Sequence, residues 1–457
     1  MNFKTKNLLA ALVLTLGTMT ASFAQVATPA TELTLQDALN YALNNNEALR
    51  KAKLEVLGGQ LKVREVRASA MPQIDAVSTL TNNLLVQQFI LPAEFMGGNP
   101  GEFIAIEAGQ TWNAMSQVQF NQQIFNQQVF TGLKAAKSSE EFYRLSAQLS
   151  EENLIQQVAT NYYQVIITRE QLEVIDANLE RFNHLEQMVG SQFEVGLAKK
   201  IDLDRIKVNK ANLITQRDQL QSAVIMQENL LKYYMGMPVS TPIVLPSNQL
   251  TNLEHEAHVR LDESKFNAQE LTTYQLLTKQ EDLLKLQKKA YQAEYYPSLS
   301  LGGSYMYNSQ SNKFNVYSNK ALNYDAASLG LTLRIPIFDG GARRSKVRQA
   351  DIDIQKVQED MRSTNNALEM AYANAKIQIS NSLTTIDMQM TNKEFAQEVF
   401  ESTRNNYQNG LATLTDLLNA ETELVEAQNS YNQALLNFKV AEIELIKANG
   451  NIQSLVK

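Results

Sequence analysis

Between Lys346 and Asn409 the chain contains neither glycine nor proline. A helix of about sixty residues through this stretch would run about 90 Å at 1.5 Å per residue. Ser138 to Gln192 has only Gly190, which predicts a second helix nearly as long. Helices of that length gain stability by packing against other helices rather than from propensity alone. The C-terminal segment shows the packing pattern. Leu417, Leu424, Tyr431, Phe438 and Leu445 recur every seven residues, and so do Ala420, Ala427, Ala434, Ala441 and Ala448. That is the a/d seam of a coiled coil, and its alanines let a neighbouring backbone approach closely. Val347, Ala350, Ile354, Val357, Met361, Leu368, Ala371 and Ala375 continue the seam on the preceding helix.

The chain also repeats itself. Gly196, Leu197, Ala198 and Asp202 reappear as Gly410, Leu411, Ala412 and Asp416, a shift of 214, and Gly236 maps onto Gly450 by the same shift. Ile124-Phe125-Asn126 matches Ile337-Phe338-Asp339 at a shift of 213, and Met71-Pro72 matches Tyr296-Pro297 at 225. Several matches in one order make an internal duplication. Each copy reads as a helix, a proline, two strands and two long helices. Thr34 is the expected N-cap of the first helix. The first copy carries extra residues between Leu84 and Trp112, where proline and glycine predict an exposed loop. The expected boundaries are 25–236 for the first repeat, with strands about 73–125 and long helices about 133–235. A linker covers 237–262, and the second repeat 263–457 has strands about 298–338 and long helices about 342–449.

The strands alternate. In Ser328–Phe338, Leu329, Leu331, Leu333, Ile335 and Ile337 oppose Ser328, Gly330, Thr332 and Arg334. Ser298–Tyr307 and Met115–Phe125 behave alike, and Gln73–Leu84 does so more weakly. Such strands, apolar on one face and small or polar on the other, fit a transmembrane barrel with a wet lumen. Four strands cannot close one, since about eight are needed even for a narrow filled barrel. An open edge in lipid leaves backbone groups without partners. Chains must therefore share a barrel, two giving eight strands and three giving twelve, and only the larger leaves a useful water path.

The N-terminus supplies the address. Lys4 and Lys6, the apolar run Leu8–Leu16 and the small residues around Ala24 form a secretory signal peptide over 1–24. Removing its lysines takes the formal charge from -7 to -9, so no basic face for nucleic acid is expected. The absence of cysteine excludes disulfides, thiolate metal sites, a cysteine nucleophile and a lipid-bearing N-terminal cysteine. An enzyme fares poorly as an alternative. His255 and His258 sit three apart rather than the zincin four, with no third ligand evident, and no phosphate loop or nucleophile elbow is present. No catalytic residue, cofactor or metal is expected.

With these pieces in place, Leu33–Asn46, Tyr296–Leu301, Ile335–Gly341 and the paired Gly-Leu turns with an Asp six residues after each glycine resemble the TolC family. Those proteins are outer-membrane channels of tripartite efflux pumps and type I secretion systems. The resemblance implies a mainly α fold with a β-barrel. Its protomer would be internally duplicated, with four transmembrane strands and long coiled-coil helices. Three copies would form a twelve-stranded barrel above an α-helical periplasmic tunnel. A mixed belt around the tunnel would draw on Met237–Leu261 and the N-terminus, with little from the C-terminus.

The same resemblance assigns residues. Gly196, Leu197, Gly410 and Leu411 would be the periplasmic tips that meet a membrane-fusion adaptor. Asp416 would form an acidic ring at the aperture, and Asp202 with Tyr407 a hydrogen-bonded pair that holds it shut. Asn419 stands where a second acid is found in the family, and Ala412 where a locking Arg is found, so the latch is weaker here. Gly340 and Gly341 mark the bend from strand to helix, with Arg343, Arg344, Lys346 and Arg348 facing headgroups, lumen or plain solvent. The implied partners are two further copies, the adaptor, an inner-membrane transporter and outer-membrane lipid. The main rival is a periplasmic structural coiled-coil protein, which leaves the lipid-patterned strands unexplained.

Overall fold

The computed structural model describes residues 32–246, 266–318 and 320–456. The expected signal peptide, His255 and His258, and much of the 237–262 linker lie outside the described residues. Each half opens with a helix that stops short of its proline. Helix α1 (Leu35–Asn45) leads into α2 (Glu47–Ala68), ahead of Pro72. In the second half α5 (Thr272–Ala293) precedes Pro297. Thr34 caps α1 as expected, in a capping box with Asp37: the Asp37 amide donates to the Thr34 hydroxyl at 3.2 Å.

The long helices are α3 (Gln127–Glu194, 68 residues) with α4 (Lys200–Met235), and α6 (Ala342–Gln408, 67 residues) with α7 (Leu414–Ala448). At 1.5 Å per residue α3 and α6 each run about 100 Å. Helix α3 starts earlier than the expected 133, because the Asn126 side chain accepts from the Gln128 amide at 2.9 Å and caps it there. Asp339, the duplicate of Asn126, accepts from the Gly341 and Arg343 amides at 3.1 and 2.9 Å ahead of α6.

The seam of α7 is the core. Leu417, Leu424, Tyr431, Phe438 and Leu445 are all buried, with Ala420, Ala434 and Ala441. Each large side chain so buried contributes about 1.5–3 kcal/mol. Beside the middle of the bundle, Ala38, Leu39 and Ala42 of α1 pack with Tyr162, Leu231 and Ile443. There Leu33 donates its amide to Val244 at 2.7 Å. The C-terminal turn Ile452–Val456 is short, yet its Ile452 is buried in the same cluster.

Four strands make one antiparallel sheet in the order β1-β4-β5-β6: β1 (Gln73–Asn82), β4 (Trp112–Phe125), β5 (Ser298–Ser311) and β6 (Leu322–Arg334). The register aligns Ile74 with Phe120, Val118 with Tyr305, and Leu301 with Leu331 on one face. Gln119, Ser304 and Ser328 align on the other. The two long edges, on β1 and β6, have no strand partner among the described residues.

Two expectations are corrected. Strand β6 stops at Arg334 rather than Phe338, because Pro336 cannot donate a ladder hydrogen bond. The region between Leu84 and Trp112 is not simply a loop. It folds into the hairpin β2 (Gln88–Pro92) and β3 (Phe103–Glu107), joined through a 3-10 turn at Ala93–Met96. Its two short apolar runs pair Phe89 with Ile106 and Leu91 with Ile104. No helix among the described residues is long and apolar enough to cross a membrane.

Candidate functional site: aperture and helix tips

At the end of the bundle far from the sheet, both helix pairs turn in the same way. Gly196 and Gly410 have φ of 80° and 75°, a left-handed backbone that favours glycine. Gly196 donates to the Phe193 carbonyl and Leu197 to the Gln192 carbonyl, at 3.0 and 2.8 Å. Gly410 and Leu411 repeat this with Tyr407 and Asn406 at the same distances. These are paired Schellman caps, in which the residue after glycine ordinarily packs on an apolar side chain five residues back. Here that partner is Gln192 or Asn406, so the leucines have nothing to cover them. Leu197 is 81% exposed and Leu411 79%.

Just beyond each turn stands an aspartate in the first turn of the next helix. Asp416 is committed to a capping box. The Thr413 hydroxyl donates to its carboxylate at 2.7 Å, the Thr413 amide donates at 2.9 Å, and both hold its carboxyl below the usual range. Its duplicate Asp202 follows Lys199, which offers no capping side chain. Tyr407 lies close enough to Asp202 for that charge, after burial, to raise its hydroxyl above its ordinary value. Among the described residues no hydrogen bond joins the two. Asn419 and Ala412 lie on the same turn and start of α7, Asn419 exposed and Ala412 half-buried.

Tyr407 also lines a cavity of about 450 Å³ between α3, α6 and α7, together with His184, Phe400 and Arg404. Its wall contains an ion pair that the sequence reading missed. Arg181 of α3 donates to the Glu421 carboxylate at 2.5 Å. The Arg181 and Arg404 guanidiniums stand 5.7 and 5.6 Å from the Phe400 ring. Burial pushes the Glu421 carboxyl above its ordinary value, against the pull of Arg181 and then Arg404. The signal was available: Glu421 falls beside the Leu417–Ala420 seam at an e position, where coiled coils place interhelical charge pairs. Arg205 adds a weaker tie, donating to the Thr415 hydroxyl at 3.3 Å.

At the other end of α6, Gly340 and Gly341 take φ of 65° and 89°, so the strand-to-helix bend falls on glycine. The basic cluster after them splits. Arg343 is buried, donating to Asp339 at 2.6 Å and to the Glu294 carbonyl at 3.1 Å. Lys346 pairs with Glu294, so Arg344 and Arg348 of this cluster remain exposed with no ion pair among the described residues.

The chain is similar to known proteins along most of its length. Outer membrane protein TolC of Vibrio cholerae serotype O1 is 20% identical over 422 residues, covering 92% of this chain and 91% of its own. Alkaline protease secretion protein AprF of Pseudomonas aeruginosa is 25% identical over 343 residues, covering 72% and 67%. Among solved structures, the transmembrane channel CusC superposes with a TM-score of 0.72 at 17% identity, over 92% of each chain. The family described as Outer membrane efflux protein matches residues 38–231 and 275–451, the two halves of the duplication. The chain belongs to the outer membrane efflux protein family.

Proposed function

We propose that the protein is the exit duct of a tripartite efflux pump, a homotrimer whose three four-stranded sheets close one twelve-stranded barrel. The observation that carries this is the pair of unpaired edges on β1 and β6. In lipid such edges must be paired, and joining β6 of one copy to β1 of the next removes both. The polar sheet face then lines the lumen, and the apolar face meets outer-membrane lipid. The signal peptide delivers the chain to the periplasm, and the absence of cysteine argues for anchoring by the barrel rather than a lipid.

In this reading the two long hairpins of each copy form the periplasmic tunnel. Leu197 and Leu411 are the exposed apolar contacts for a membrane-fusion adaptor that links the duct to an inner-membrane transporter. Asp202, Tyr407 and Asp416 surround the aperture. Asp202, free of a cap, is the group available to Tyr407 or a neighbouring copy, whereas Asp416 presents a carboxylate already partly engaged. A ring of such carboxylates favours cations. The duct is passive, and small molecules pass after the adaptor docks. The match to a protease secretion protein supports a second reading, export of proteins by a type I system through the same duct.

Planar-bilayer recordings of the detergent-extracted protein test the reading. The expected result is stepwise conductance, raised by Tyr407→Phe or Asp202→Ala and made less cation-selective by Asp416→Ala. A protein that inserts and gives no conductance in any of these forms would contradict it.

A further inference from the structure

Among the described residues, the β2–β3 hairpin has no counterpart in the second half of the chain. It joins the end of β1 to the start of β4, at the rim of the sheet opposite the helices. It is apolar on both faces, with Phe89, Leu91 and Ile104 on one side and Ile90 and Phe103 on the other. Ile90 and Phe103 are each 70% exposed. A lone two-stranded hairpin is marginal in water, and exposed apolar clusters of this kind mark interfaces. The hairpin is built to be covered.

Charge identifies the cover. Residues 83–111 carry Glu94, Glu102 and Glu107 and no lysine or arginine. At the same rim, the 312–321 connection between β5 and β6 carries Lys313 and Lys320 and no acid, with Phe314 and Tyr317 exposed beside them. Within one copy, among the described residues, none of these three acids forms an ion pair, although the hairpin and this connection adjoin through the paired strands β4 and β5, where the Thr111 amide donates to the Asn312 side chain at 3.2 Å and Trp112 meets Phe314 edge-on at 5.0 Å. The hairpin's other flank, on the β1 side, is open in one copy and meets a second loop in a shared barrel. Strand β6 of one copy stands about 5 Å from β1 of the next, which sets the acidic apolar hairpin beside the basic aromatic loop.

We propose that each copy's β2–β3 hairpin docks on the 312–321 loop of the neighbouring copy, so that the hairpins form a collar around the outer mouth. This rests on the shared-barrel reading. The test uses double variants pairing Glu94→Cys, Glu102→Cys or Glu107→Cys with Lys313→Cys or Lys320→Cys, oxidised in the outer-membrane fraction. The wild-type chain has no cysteine, so no other thiol of the chain competes. The native mass of each variant is taken before oxidation. The expected result is a three-chain particle that runs as reductant-sensitive covalent dimers and trimers on a denaturing gel. A three-chain particle in which no pair cross-links between chains, whether or not it links within one, overturns the collar and leaves the shared barrel standing, with lipid or the same copy's loop as the hairpin's cover. A single-chain particle overturns both. In unmodified protein, carbodiimide coupling followed by peptide mapping should yield the same interchain Glu–Lys peptides, and their absence from a three-chain particle also overturns the collar.

Discussion

Arg181 and Glu421 lie 240 positions apart in the chain and 2.5 Å apart in space. Their ion pair ties the long helix of the first half to the seam helix of the second, near the helix tips. Removing one member of a buried pair strands the other charge, at about 3–5 kcal/mol for full burial. Arg181 retains 29% exposure, so Glu421→Ala should cost less, about 2 kcal/mol. It should also raise conductance, because the two helix pairs lose a tie beside the proposed aperture. Thermal unfolding followed by helicity, with bilayer recordings, checks both.

The same pair sets a pH dependence. Burial holds the Glu421 carboxyl above its ordinary value of 4.5, so the folded state takes up its proton at a higher pH than the unfolded chain does. Stability therefore falls as pH rises through the window from 4.5 to the raised value. Glu421→Gln keeps the shape and an acceptor and removes this titration. Wild type should gain on Glu421→Gln as pH is lowered through that window, and the gap should stop growing near 4.5.

Glycines that share a sign of φ differ in their surroundings. A Cβ on Gly410 meets nothing within 4 Å, so Gly410→Ala pays only for a left-handed backbone, about 1–2 kcal/mol. At Gly236 the φ is +69° and the Cβ would lie 2.7 Å from the Asn45 carbonyl oxygen. Gly236→Ala must therefore push α4 away from the α1–α2 junction. It should lower the thermal midpoint clearly more than Gly410→Ala.

Thr413→Val removes the hydroxyl that holds Asp416. The Asp416 carboxyl should rise toward its ordinary value of 3.8. In the wild type, this cap's contribution is present above 3.8 and is lost as pH falls through the lowered value. Amide exchange at the start of α7 should show the first turn fraying in Thr413→Val at neutral pH, and in wild type only under stronger acid.

Leu197→Ser and Leu411→Ser change side chains that touch little of their own chain. Native mass should be unchanged, and stability followed by thermal unfolding should shift by no more than about 0.5 kcal/mol. Capture of a membrane-fusion adaptor co-expressed from the same operon or host should fall, most in the double variant.

The long helices, the α7 seam and the duplication were legible because glycine–proline spacing and heptad period are direct records of backbone and packing. Strand alternation was legible for the same reason, and its faces pair as the pattern required. The hairpin between Leu84 and Trp112 escaped, because five-residue apolar runs flanked by proline and glycine read equally as loop. The helix-tip region was only half legible. Gly196, Gly410, Asp202 and Asp416 stand out through repetition, whereas Arg181 and Glu421 belong to different halves and meet only once the helices have packed. The capping of Asp416 by Thr413, absent at Lys199, distinguishes two aspartates that the repeat alone makes equivalent.

The central claim is that the barrel is shared. Native mass of the detergent-extracted mature protein from the outer-membrane fraction tests it most directly. The account predicts a particle of three chains, with β1 and β6 paired between neighbours. A single-chain particle, soluble or membrane-bound, would contradict it.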